Sequence, residues 1–172
     1  MEKQVLAMLA AAIIIIIVLG FVAYKAFVEI NFNLLSSTKK TTDFGFRDGI
    51  VTFEERRYTT KNGPYEVLIY DTRSKTNLNS AFSYINNSYI SGLPLSATEK
   101  NTGLPKITLN NQQIYGGPSY DKTLYFMLWG SNNSLIMIRN ADREAGRNVS
   151  ETGINEIKEL GKIIIIQYPA TT

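Results

Sequence analysis

TLYFMLWGSNNSLIMIRN, Thr123–Asn140, is the stretch that decides the fold. Its arms, Thr123–Trp129 and Ser134–Asn140, flank a GSNN turn and read as a β-hairpin. A hairpin with one wet face would alternate apolar and polar residues, but both arms are apolar at nearly every position. Such strands belong in the centre of a sheet covered on both faces. Helices elsewhere in the chain must supply the covers.

Working outward, LSATEK, PKITLN and QQIYGG read as further strands, with Asn110–Gln112 as a tight turn. On the N-terminal side, Gly49–Tyr58 and Tyr65–Thr72 read as two strands joined by the turn KNGP, Lys61–Pro64. Between the two strand groups, NLNSAFSYINNSYISG places Leu78, Phe82, Ile85 and Tyr89 on one helical face, with Asn77 as N-cap and Gly92 as stop. Near the end of the chain, Ile154, Ile157, Leu160, Ile164 and Tyr168 form an amphipathic stripe that Ser150 or Thr152 can cap and Pro169 ends. The alternative there is a buried strand over Ile163–Ile166, because β-branched runs favour strands; the longer stripe favours the helix. The expected fold class is α+β: an N-terminal transmembrane helix, then a mainly antiparallel sheet packed with two helices.

This element order, and stretches such as VLIYDTRS leading into the first helix, resemble the small extracytoplasmic domains typified by PsbP, the extrinsic subunit of the oxygen-evolving photosystem. The resemblance spans Asp43–Pro169 and carries over no functional residue. It implies an accessory domain outside the cytoplasm. A retained anchor departs from that family, whose members are commonly secreted or lipid-linked.

The anchor is read from AAAIIIIIVLG, Ala10–Gly20, within the uncharged stretch Gln4–Tyr24. At about 1.5 Å per residue this stretch crosses a hydrocarbon core of roughly 30 Å. Val5, Leu9, Ile13, Ile17, Gly20 and Tyr24 are the expected membrane-spanning positions. The second isoleucine run, Ile163–Ile166, lies between Lys162 and Gln167 and is too short to span. A signal peptide has a shorter apolar region and a small-residue cleavage site. Here the helical pattern continues through Phe27, Ile30 and Leu34, so an uncleaved anchor is expected. The domain boundaries follow as a helix over 1–35, a short tether over 36–43 with the composition SSTKKTTD, and an extracytoplasmic domain over 44–172.

Orientation rests on a thin charge difference, Lys3 against Lys25, Lys39 and Lys40. Charge alone slightly favours the large domain inside. The short N-terminal tail and a polar domain without Cys or His favour the domain outside, and that is the expectation. The sequons at Asn86, Asn132 and Asn148 are compatible with it.

Absence of Cys and His removes thiolate nucleophiles, Ser-His-Asp triads, thiolate or imidazole zinc sites and disulfides. Glu54 and Glu55 are adjacent on a strand and point to opposite faces, so with Arg56 and Arg57 they read as a solvated edge. Asp142 and Glu144 sit in a polar loop with Arg143 and Arg147, without calcium-loop spacing. GFRDG, Gly45–Gly49, and YGGPS, Tyr115–Ser119, hold glycines outside any phosphate-loop context and read as turns. No catalytic residue, cofactor or metal site is expected. The net charge of +3 is spread among acids, which argues against nucleic acid. Basic residues beside the anchor, Lys25, Lys39, Lys40 and Arg47, suit lipid headgroups.

Aromatic content is the remaining signal, with ten Tyr, eight Phe and one Trp. Tyr115, Tyr120, Tyr125 and Trp129 cluster around the Gly-Gly-Pro segment and the hairpin, where they are either core or a partner surface. The functional expectation is a membrane-anchored, non-catalytic accessory subunit that contacts lipid and other membrane or surface proteins, or copies of itself. Ala7 and Ala11 have the small-xxx-small spacing that permits close helix approach. The alternative is a filament subunit resembling type IV pilins, with Met1–Leu35 as the filament-core helix. It departs from them in lacking a leader that ends in a basic residue and Gly, and Val5 and Leu6 stand where bacterial pilins carry a glutamate.

Overall fold

A computed structural model describes residues 31–43, 50–85, 105–119, 121–141 and 149–171. The chain divides into two units, Met1–Asn31 and Phe32–Thr172. The transmembrane reading of Gln4–Tyr24, with Val5, Leu9, Ile13, Ile17, Gly20 and Tyr24, lies outside the described residues. Among the described residues, no helix is long and apolar enough to cross a membrane.

The second unit is α+β. Strands β1 (Asn33–Asp43), β2 (Ile50–Thr60) and β3 (Gly63–Asp71) precede helix α1 (Lys75–Ile85); β4 (Lys106–Leu109), β5 (Gln112–Pro118), β6 (Tyr125–Ser131) and β7 (Ser134–Asn140) precede helix α2 (Glu151–Gln167). They form one seven-stranded sheet in the order β1-β2-β3-β7-β6-β5-β4, and every pairing is antiparallel. β7 therefore lies at the centre beside β6, as the unbroken apolar arms required.

Alternation sorts the hairpin onto two cores. Tyr125, Met127 and Trp129 of β6, with Ile136 and Ile138 of β7, pack under Ile157, Leu160, Ile164 and Ile165 of α2. Phe126, Leu128, Leu135 and Met137 face the other way, against Leu78, Ala81 and Ile85 of α1. Burying a large apolar side chain is worth roughly 1.5–3 kcal/mol, against about 0–1 kcal/mol for an exposed ion pair. These two layers hold the sheet.

Local chemistry sets the turns and helix ends. Asn110 and Asn111, with φ of 45° and 63°, turn β4 into β5, using the tolerance of asparagine for left-handed backbone. Ser150 caps α2 by accepting the Gly153 N–H at 3.1 Å. Tyr168 N–H closes the other end on the Ile164 carbonyl at 3.0 Å, just before Pro169. Gly161 lets α2 lie close to the sheet, since a methyl there would run into Met127 Cε. After the helix, the Tyr168 carbonyl accepts the Trp129 indole N–H at 2.8 Å, and Thr171 N–H reaches the Gly130 carbonyl at 3.0 Å.

Several expectations are corrected. Residues 33–43 are not a helix end and tether but strand β1, paired with β2 from Asn33↔Thr59 to Asp43↔Ile50. The two are alike in composition: the side chains of β1 from Asn33 to Thr41 are exposed on both faces, so no apolar alternation marks it. With β1 outside it, β2 is an interior strand, and Glu55 is buried rather than part of a solvated edge. YGGPS is largely strand, because Gly116 and Gly117 pair with Met127 and Phe126. The cap of α1 is Ser74, whose hydroxyl accepts the Asn77 N–H at 3.2 Å. Readings on LSATEK, Asn86, Tyr89, Gly92, Gly45–Gly49, Asp142–Arg147 and Asn148 lie outside the described residues.

Candidate functional site: an open edge and a small cleft

The four aromatic residues do not converge. Trp129 and Tyr125 are 1% and 7% exposed under α2, so neither is a partner surface. Burial raises the Tyr125 phenol above its usual range. Tyr115 lies on the opposite face, half-buried, with its ring edge-to-face against Phe82 at 4.8 Å. Tyr120 lies outside the described residues. The hairpin register explains the outcome, since a strand apolar on both faces at the sheet centre has no wet side left.

Polar chemistry is concentrated at three places, and two of them are closed. Under α2, the buried Glu156 carboxylate accepts hydrogen bonds from Tyr65 and Thr60, each at 2.6 Å, and from the Asn62 amide. Burial first, and Glu156 second, push the Tyr65 phenol well above its usual range, so it stays a proton donor. On the other face, a ladder of charge crosses four strands. Lys40 meets Glu55 at 2.7 Å, Arg57 bridges Glu55 and Glu66 at 3.1 Å each, and Arg139 meets Glu66 at 2.8 Å. Each oxygen of these carboxylates is met by a donor. No buried side-chain nitrogen or oxygen among the described residues lacks a partner, and no group of three His, Cys, Asp or Glu side chains among them is placed to hold a metal ion.

The Glu54–Glu55 pair divides as its spacing predicted. Glu54 takes Arg56 and Ser37 at 2.7 Å each on the α2 face, while Glu55 takes Lys40 on the α1 face. Both carboxyls are held below their ordinary value, Glu54 chiefly by the Arg56 hydrogen bond and Glu55 chiefly by that of Lys40. The Arg56 guanidinium also donates to the Tyr168 hydroxyl at 3.1 Å and lies 5.7 Å from its ring centre, tying β2 to the end of α2.

The third place is open. A cleft of about 180 Å³ lies between α1 and the β4–β6 end of the sheet. Leu78 and Phe82 of α1, with Tyr115 of β5, supply apolar lining; Asn79 and Gln113 add amides, and Lys106 of β4 adds a cation. Lys106 Nζ stands 5.8 Å from the Tyr115 ring centre. Sequence reasoning marked Phe82 as helix face and Tyr115 as aromatic cluster but passed over Lys106, Asn79 and Gln113. No contiguous motif could have joined them, because they come from three elements.

A second open feature is the β1 edge. It is eleven residues long, and among the described residues its one strand neighbour is β2. Leu34 and Leu35 are 54% and 64% exposed there. The opposite edge, β4, has only four residues. Comparison of the chain with protein-family models, curated proteins and solved structures finds no match.

Proposed function

We propose that the chain is a single-pass membrane protein whose domain stands outside the cell membrane and serves, without catalysis, as an accessory subunit through protein–protein contact. The observation that supports this most is the β1 edge. Among the described residues β1 has no outer neighbour, and such a strand presents unpaired N–H and C=O groups, a template for another strand. Natural sheets usually shorten or shield such edges; β4 is short, whereas β1 keeps eleven residues, with a register shift between Leu34 and Ser36 and with Lys39 and Lys40 further along. The uncharged stretch Gln4–Tyr24 supplies the anchor.

Native mass spectrometry and imaging of full-length protein extracted from its own membranes in mild detergent test the proposal. Co-migration with different chains, lost in a Leu35→Lys variant that still folds, is the expected result. A protein that stays monomeric under all extraction conditions overturns it. Homopolymeric fibres with N-terminal helices at their centre would replace it with the pilin-like reading.

A further inference from the structure

We propose that the cleft between α1 and β4–β6 binds a small organic carboxylate with a compact apolar body. This goes beyond the contact role above and does not rest on it. Size restricts the occupant, because about 180 Å³ is below the roughly 300–1,000 Å³ of sites that take drug-sized ligands. Charge gives its sign. Among the described residues no acidic side chain lines the cleft and no carboxylate pairs with Lys106.

Lys106 is instead set over the face of Tyr115, whose ring is braced edge-on by Phe82. That contact orients the ammonium beside an apolar floor of Leu78 and Phe82. An anion reaching Lys106 gains a charge-assisted hydrogen bond, while its body displaces water from the floor and the aromatic pair. A neutral molecule of the same shape gains only the second term. Inorganic anions gain only the first. The two terms together select the carboxylate with an apolar body.

The test is fluorine NMR of 4-fluorobenzoate and of its neutral isostere 4-fluorobenzamide, titrated onto full-length protein in lipid nanodiscs, with empty nanodiscs as the partition blank. The benzoate is expected to bind saturably and about tenfold tighter than the amide, the discrimination that one charge-assisted hydrogen bond supplies. Lys106→Gln, an exposed position on a short edge strand, should bring the benzoate down to the level of the amide. Phe82→Leu should weaken both probes while the fold, followed by circular dichroism, is kept. Absence of saturable benzoate binding, equal affinity for the two probes, or a Lys106→Gln variant that binds as the parent does would each overturn the proposal.

Discussion

The two faces of the sheet are closed by different means. On one, the seventeen-residue α2 and the tail after it cover an apolar layer from Tyr65 to Trp129, and the one buried acid, Glu156, is met by neutral donors. On the other, the eleven-residue α1 covers part of the layer, and among the described residues the remainder carries the Lys40–Glu55–Arg57–Glu66–Arg139 ladder. Interior strands show side chains to both faces, and the charged ones among them must satisfy one another. The difference teaches that this sheet is stabilised by packing on both faces, with a charge ladder across four strands on one and a local Glu54–Arg56 pair on the other.

The strongest way to break this comparison is Leu128→Asp. It places a carboxylate at a fully buried position between β6 and α1, where no partner can compensate. The folded state should be lost, seen as a missing thermal transition; an unchanged melt would remove Leu128 from the core. Next in size is Gly161→Leu on the opposite face, where even a first carbon meets Met127 and Leu109. Overpacking of this kind should cost about 3 kcal/mol in urea unfolding. Equal stability to the parent would mean that α2 can lift from the sheet.

A finer separation compares Glu156→Gln with Glu66→Gln. Each should cost about 2 kcal/mol, since each leaves donors around a buried acceptor mismatched. Repeating the urea titration in 1 M NaCl should shrink the Glu66 effect, whose partners are guanidinium groups, and leave the Glu156 effect alone. Equal salt dependence would erase the contrast between the faces.

The smallest effect is on acid stability. The folded-state values of Glu54 and Glu55 lie below their ordinary 4.5. The stability they contribute is therefore complete above pH 4.5 and fades as pH falls through their lower folded-state values. Arg56→Met should flatten that part of the pH–melting profile more than Lys40→Met, because Arg56 is 18% exposed and Lys40 47%. A larger effect from Lys40→Met would assign the acid sensitivity to the ladder face.

Legibility in the sequence followed burial. Apolar runs on both arms of Thr123–Asn140 announced a central hairpin, and the stripe from Ile154 to Tyr168 announced α2, because periodicity survives wherever a face packs. β1 is not legible because Ser36–Thr41 are exposed on both faces, and an exposed strand has the composition of a linker. Trp129 and Tyr125 were ambiguous for the converse reason, as an aromatic ring serves a core and a binding surface equally well.

The sequence by itself determined the α+β class, the hairpin turns at KNGP, NNQ and GSNN, the central place of the hairpin and the absence of any Cys or His chemistry, all consequences of composition and spacing along the chain. Only the tertiary structure decided that β1 is the open edge, that Glu55 and Glu66 are drawn into one ladder, and that Lys106 meets Tyr115 beside Phe82. Those contacts join residues far apart in the chain. Local pattern carries no record of which distant strand will become a neighbour; strand pairing and helix packing settle it together.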